Sequence, residues 1–189
     1  MAVPNADEAL ERLKQGNERF RTGKAVGAAR VGSRHQELLE GQEPFAIILS
    51  CSDSRVPTEI VFDTGLGDLF VIRVAGNVAN RSSIASVEYA LAHLGTKLVV
   101  VIAHQSCGAV GAAIAGGSGS KHLSHLLGFI EPALEPPEAD ADVVARRSAR
   151  INAGRLTDES DIIRAATEEG GVRIATAFFH FSNGEVEFD

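Results

Sequence analysis

Two short polar stretches of the sequence combine residue types that can carry metal or acid–base chemistry. Residues 50–55, SCSDSR, offer the thiol of Cys51, the carboxylate of Asp53 and the guanidinium of Arg55 at alternate positions. In an extended segment, alternate side chains lie on the same side of the backbone. The second stretch, HQSCG, sets His104 three residues before Cys107. Grouping such side chains in a protein interior is costly, so the pattern favours a ligand or metal that uses them.

A buried strand is predicted directly before each polar stretch. The runs FAIIL (45–49) and KLVVVIA (97–103) are almost entirely apolar, which is typical of strands covered on both faces in a parallel sheet. Ligand-binding groups collect at the carboxyl ends of such strands. If the two strand ends lie side by side, Cys51, His104 and Cys107 form a three-ligand set that suits zinc.

The chain has two cysteines, and a single disulfide between them is the alternative to a metal site. An intracellular chain favours metal binding or catalysis by cysteine over a disulfide. The carboxylate and guanidinium that follow Cys51, and the histidine that precedes Cys107, favour the same interpretation.

The order of the predicted elements favours an α/β fold with a mainly parallel central β-sheet flanked by helices. A further strand is predicted over residues 69–74, and an amphipathic helix over 6–20 has Asn5 or Asp7 as its N-cap. An Asn-Gly turn at 183–184 between alternating segments predicts a C-terminal hairpin strand pair. Other helices or helical turns are predicted over residues 34–40, 57–62, 82–94, 108–115, 121–130, 143–151 and 158–169.

The 189 residues indicate one domain over 1–189, with an N-terminal helical arm at about 5–40. A formal net charge of −7 argues against a nucleic-acid-binding surface, which needs clustered lysine and arginine. No apolar run reaches the roughly 18 residues of a membrane span. The first twenty residues are charged and contain no apolar signal region. We therefore expect a cytoplasmic protein that binds neither nucleic acid nor membrane.

Taken together, the CSDSR and HQSCG motifs resemble the metal site of the β-class carbonic anhydrases. The similarity extends over residues 42–115, including DLFVIRVAGN, SVEYAL and CGAVGAA, and the terminal hairpin also resembles that family's last strands. The resemblance implies one Zn²⁺ per chain, held by Cys51, His104 and Cys107. It also implies reversible hydration of carbon dioxide to bicarbonate and a proton, by attack of a zinc-bound hydroxide.

The resemblance assigns roles to residues around the metal as well. Asp53 is either a fourth ligand in a closed state or the partner of Arg55 in an open state, in which it orients the nucleophile. The substrate-binding positions of the family match Gln42, Phe70, Ala75 and Tyr89. Because pocket walls of this kind typically come from a neighbouring subunit, the resemblance implies a homodimer or a larger even-numbered oligomer.

Three positions depart from the family pattern and leave alternative functions open. Ala103 stands where glycine is usual, and Ala75 where the plant-type enzymes have valine. Gln105 replaces a small serine, threonine or asparagine, so its longer amide could crowd the metal loop or alter the substrate's approach. One alternative is therefore hydrolysis of carbonyl sulfide or carbon disulfide on the same site. The other is a non-catalytic zinc module.

Overall fold

A computed structural model describes residues 3–27, 34–117, 119–137 and 140–189. Its centre is a five-stranded sheet with the order β2-β1-β3-β4-β5, in which β1 to β4 are parallel and β5 is antiparallel to β4. The mainly parallel sheet and the C-terminal strand pair predicted from the sequence are confirmed. The strands are β1 (Ala46–Ser50), β2 (Leu69–Arg73), β3 (Leu98–His104), β4 (Arg173–Phe179) and β5 (Val186–Phe188).

Helices cover both faces of this sheet, as predicted. They are α1 (Ala6–Arg21), α2 (Arg34–Glu37), α3 (Thr58–Val61), α4 (Arg81–Leu94), α5 (Gly108–Ile114), α6 (Lys121–Leu127), α7 (Ala141–Asp158) and α8 (Asp161–Glu168), with short 3-10 helices at Ala75–Asn77 and Glu131–Leu134. Within the described ranges, no helix combines the length and the apolar composition needed to cross a membrane. Residues 28–33 of the predicted N-terminal arm lie outside the described residues.

The two central strands explain why the sheet has a core on each face. Successive strand residues point to opposite faces, so Ile47 and Val99 pack into one hydrophobic cluster with α4, α5 and α7. Ile48 and Val100 pack into the other cluster, with α1 and α3. Both strands are buried along their whole length, which accounts for their continuous apolar sequence.

Several predicted helix ends are wrong, because local capping groups decide them. The helix predicted over 121–130 ends at Leu127, and that predicted over 34–40 ends at Glu37 and continues only as a turn. The helix predicted over 143–151 is only the middle of the longer α7, which ends at Asp158. The next helix therefore does not start at residue 158 as predicted. The break falls at Ser160, whose hydroxyl accepts a hydrogen bond from the backbone N–H of Ile163 (3.1 Å) and so caps α8.

Candidate metal centre

Two neighbouring strand ends bring Cys51, His104 and Cys107 together. Cys51 directly follows β1, His104 is the last residue of β3, and Cys107 immediately precedes α5. Since β1 and β3 pair in parallel, with Ser50 opposite Ile102, their carboxyl ends lie side by side. One ligand atom from each of the three side chains lies within 4.8 Å of the others, and all three residues are buried. The convergence that the sequence predicted is therefore present.

The donor atoms of this cluster fit a zinc ion. His104 Nδ1 lies 2.9 Å from the carbonyl oxygen of Gln105, and because a carbonyl can only accept, Nδ1 carries the proton. Nε2 then presents its lone pair, and it is one of the buried atoms of the described residues with no hydrogen-bond partner. Leaving such an atom unpaired costs free energy, which coordination to a metal would recover. Two thiolates and one imidazole are ligands that zinc commonly takes.

The two thiols already interact with each other. The neighbouring Cys107 thiol lowers the pKa of Cys51, whereas Cys51 and burial raise the pKa of Cys107, so Cys51 ionises first. The backbone N–H of Gly76 also donates to Cys51 Sγ (3.3 Å). Gly76 has φ +71°, and an added Cβ would lie 2.8 Å from Ile130, so this close approach requires glycine. A bound cation would favour loss of the proton from both thiols and hold both sulfurs as thiolates.

Asp53 lies beside the cluster and is held by Arg55. Arg55 donates from Nε to Oδ1 (2.9 Å) and from a terminal nitrogen to Oδ2 (2.7 Å), and its backbone N–H also donates to Oδ1 (2.9 Å). These bonds, chiefly the side-chain bond, hold the pKa of Asp53 well below its ordinary value against the effect of burial. Asp53 Oδ2 is 4.0 Å from Nε2 of His104. The carboxylate is thus ionised and next to the cluster, but engaged by the guanidinium.

Neighbouring elements fix the two loops that carry these residues. Arg73, at the end of β2, donates to the carbonyl oxygens of Cys51 (3.1 Å) and Asp53 (2.7 Å). Ser106 has φ +52°, and its N–H donates to Asp142 in the first turn of α7 (2.8 Å). Sequence reasoning missed Asp142, because it lies in an acidic stretch that gives no signal of a contact so far along the chain.

Comparison with known proteins identifies the family. The family model described as "Carbonic anhydrase" matches residues 46–186, which include all of the cluster. The chain belongs to the β-carbonic anhydrase family. The carbonic anhydrase of Mycolicibacterium smegmatis is 32% identical over 195 residues, covering 98% of this chain and 95% of that protein.

Two further similarities extend this assignment. Carbonic anhydrase 2 of Mycobacterium tuberculosis is 46% identical over 115 residues, which cover 60% of this chain and 56% of that protein. This chain therefore aligns with little more than half the length of that relative. The crystal structure of the β-carbonic anhydrase CafA of Aspergillus fumigatus superposes with a TM-score of 0.72 at 30% identity, over 86% of this chain and 85% of that one.

The four residues that the sequence analysis predicted to bind substrate are dispersed in a single copy of the chain. Phe70 and Tyr89 pack against each other beside the edge strand β2, with ring centroids 6.2 Å apart. Ala75 begins the 3-10 helix whose Gly76 contacts Cys51. Gln42 lines a separate cavity of 430 Å³ together with residues of α2, and that cavity includes none of the three candidate ligands.

The side chain of Gln105, one of the three positions that depart from the family pattern, extends towards the end of β4. Its Oε1 accepts a hydrogen bond from the backbone N–H of Phe181 (3.1 Å), just past the end of β4. Ala103 is fully paired within β3, opposite Phe178. The longer amide at position 105 therefore has a partner on the neighbouring strand.

Proposed function

We propose that the protein is a carbonate dehydratase that interconverts carbon dioxide and water with bicarbonate and a proton. One zinc ion per chain would be bound by Cys51, His104 and Cys107. The observation that carries the proposal is the pairing of a buried Cys-His-Cys cluster with an ionised Asp53 that is adjacent to it and engaged by Arg55. A purely structural zinc site needs no such carboxylate–guanidinium pair.

Zinc held by these ligands would lower the pKa of a water molecule and so supply a hydroxide nucleophile. Asp53 would accept a hydrogen bond from that nucleophile and thereby orient its lone pair towards the carbon of CO2. Arg55 would keep Asp53 available for this role, because both carboxylate oxygens accept from its guanidinium. Without that pair, Asp53 would be free to become a fourth ligand and close the site.

The substrate pocket in this proposal is shared between two copies of the chain. Gln42, Phe70, Ala75 and Tyr89 would surround the bound CO2 or bicarbonate, with some of them contributed by the second subunit. Support comes from the surface beside β2, where Tyr89 is 49% exposed and packs on a partly exposed Phe70. Exposed aromatic pairs of this kind are typical of interfaces. A homodimer, or a larger even-numbered assembly, would complete the pocket.

We also propose a cytoplasmic location for the protein. Both candidate thiol ligands are free cysteines and must remain reduced to bind a metal. A compartment that keeps thiols reduced meets that requirement.

The test of this function is stopped-flow CO2 hydration on protein whose zinc content has been determined. We expect zinc close to stoichiometric with the chain, rapid hydration, and loss of activity on chelation that returns when zinc is restored. Stoichiometric zinc without hydration would overturn the proposal and favour the non-catalytic zinc module. Release of sulfide from carbonyl sulfide, without CO2 hydration, would instead identify the other substrate.

A further inference from the structure

Phe181 lies between the proposed metal ligand His104 and the guanidinium of Arg55. Its ring centroid is 5.5 Å from that of the His104 imidazole. The guanidinium carbon of Arg55 lies over the same ring, 4.3 Å from its centroid. A guanidinium within about 6 Å of an aromatic centroid is attracted by the negative face of the ring. The Arg55 side chain is 53% exposed, and the face of the Phe181 ring is a surface against which its guanidinium packs.

Gln105 anchors the backbone at Phe181. The pairing of β3 with β4 ends at His104 and Phe179, but the backbone N–H of Gln105 still donates to the Phe179 carbonyl (2.9 Å). The side-chain Oε1 of Gln105 then accepts from the N–H of Phe181 (3.1 Å). The side chain of Gln105 thus adds one hydrogen bond beyond the last backbone pair of β3 and β4. The Phe179 ring also packs edge-on against the ring of Phe181, at 5.4 Å.

The contacts of Arg55 with the Phe181 ring favour the orientation in which its guanidinium engages Asp53. Oriented over Phe181, it forms both side-chain bonds to Asp53 and a longer bond of 3.4 Å to the carbonyl oxygen of Ser106. Oriented towards solvent, it would release Asp53, whose Oδ2 already lies 4.0 Å from the metal-facing nitrogen of His104. Any contact made only in the first orientation shifts the population away from metal-bound Asp53.

We propose that Gln105 and Phe181 are positioning residues that hold Arg55 on Asp53 and so keep the fourth coordination position of the metal open. The inference rests on the proposed function, since it assigns a role toward the same metal. It concerns how often the site is open and not the chemical step itself. It also gives a reason for the long amide at position 105, because a shorter side chain would not span to the N–H of Phe181.

The experiment is an azide titration of the full chain loaded with Co²⁺ in place of zinc, followed by visible absorption. Azide must compete with Asp53 for the fourth position, so its apparent affinity reports the open fraction. Phe181→Leu keeps an apolar side chain but removes the ring face. We expect it to raise the apparent dissociation constant for azide because the open fraction falls, by at most about fivefold, the largest factor that an exposed cation–π contact provides.

Three further variants make this result specific. Phe181→Tyr keeps the ring and should retain the wild-type azide affinity. Gln105→Met removes the acceptor at similar length and should weaken azide binding in the same direction as Phe181→Leu. Phe129→Leu removes the ring beneath Arg155, a similar cation–π pair 4.7 Å apart, and should leave azide affinity unchanged. Cobalt content is measured for each variant, so that the comparison is made on fully loaded protein.

The outcomes separate this inference from the function on which it rests. Unchanged azide affinity in Phe181→Leu, on protein that holds cobalt, would overturn the positioning role and leave the proposed function intact. A loss of affinity in Phe129→Leu equal to that in Phe181→Leu would also overturn it, because the effect would then be general. A wild-type chain that takes up no cobalt or zinc would overturn both.

Discussion

At the scale of single residues, the metal centre depends on contacts made by side chains that are not ligands. The imidazole of His104 is oriented by the carbonyl of Gln105, and the sulfur of Cys51 accepts from Gly76. Asp142 holds the backbone of Ser106, which has a positive φ and lies between the ligands His104 and Cys107. Such outer contacts preserve the positions of metal ligands, so their removal weakens metal binding even though no ligand changes.

We therefore predict that Asp142→Ala lowers zinc affinity about 10- to 100-fold, the usual cost of losing an outer contact of a metal site. Competition with a chelator of known zinc affinity measures the change. Asp161→Ala is the matched control, since Asp161 also lies in the first turn of a helix and its side chain is 93% exposed. Equal zinc affinity in wild type and Asp142→Ala would contradict the prediction.

The sequence allowed the candidate ligands to be predicted but not the residues that hold them. Cys51 and His104 stand where continuous apolar runs change abruptly to polar residues, which is a local signal. Asp142 and Phe181 contact the site only because α7 and the end of β4 pack beside β3. Those contacts depend on the tertiary arrangement, and nothing in the neighbouring sequence of either residue indicates them.

At the scale of elements, two buried polar side chains attach α1 to the rest of the fold. Asn17 donates to the carbonyl oxygens of Val61 and Gly184 and accepts from the N–H of Val186, and so links α1 to α3 and to the hairpin. Asp63 follows α3 and accepts hydrogen bonds from Arg19 of α1. Since a lone helix of this length is marginal in water, these contacts and its apolar face hold α1 in place.

We predict that Asn17→Leu lowers the free energy of unfolding by about 2–4 kcal/mol. The change leaves three backbone groups without partners, two of them buried at about 1–3 kcal/mol each, and the added apolar burial offsets part of that loss. Denaturant unfolding followed by circular dichroism measures it. Gln15→Leu, on the same helix, is the control: the Gln15 side chain donates an exposed hydrogen bond to Glu11, so the change should alter stability by less than about 0.5 kcal/mol. Equal stability of both variants would contradict the role of Asn17.

The pKa of Asp63 makes the stability of the fold depend on pH. Burial by itself raises the pKa of Asp63, but hydrogen bonds from Arg19, Gly27 and Val26 outweigh it, and the pKa lies below its ordinary value. A lowered pKa means that the stabilisation is fully present above the unfolded pKa of about 3.9 and is lost as the pH falls through the folded pKa.

We therefore expect Asp63→Asn to be less stable than wild type by about 1–3 kcal/mol at pH 7, because a charge-assisted bond to Arg19 is lost. The difference should shrink as the pH is lowered below about 4. Denaturant unfolding at a series of pH values tests both parts. A difference that stays constant down to pH 3 would show that the charge of Asp63 does not contribute.

At the scale of the whole molecule, the sheet is covered unevenly. β1 and β3 are buried throughout, whereas the side chains of the edge strand β2 remain partly exposed. Parallel strands are normally covered on both faces, and open edges invite pairing with another chain. Tyr89, on the neighbouring α4, adds an exposed aromatic ring to the same surface. These features support the proposed assembly of two copies through the β2 side.

We predict that the wild-type chain sediments as a dimer or a larger even-numbered oligomer, and that Tyr89→Arg shifts it towards the monomer. A charge buried in the interface would cost several kcal/mol without a partner. Ile162→Arg is the matched control, because Ile162 has a similar exposure of 50% but lies on a different helix, α8. A wild-type chain that sediments as a monomer would contradict the shared pocket.

The sequence was sufficient for the architecture because its apolar runs have a clear length and order. The runs that form β1 and β3 are too short for helices and too apolar for an exposed strand, and Asn183-Gly184 indicated the hairpin. Helix ends were less predictable, since the side-chain cap at Ser160 depends on the conformation of one residue among several possible caps. In our proposal a second copy of the chain buries β2, and the sequence around β2 carries no local pattern that would indicate this contact.

The most direct test of the account is CO2 hydration by Asp53→Ala, compared with wild type on protein of known zinc content. We predict that the variant keeps about one zinc per chain, because the three ligands remain, while hydration falls at least about 100-fold. Ser52→Ala, at the exposed neighbouring position, should keep both zinc and activity. Full hydration activity in zinc-loaded Asp53→Ala would contradict the assignment of this site as an open metal centre served by Asp53.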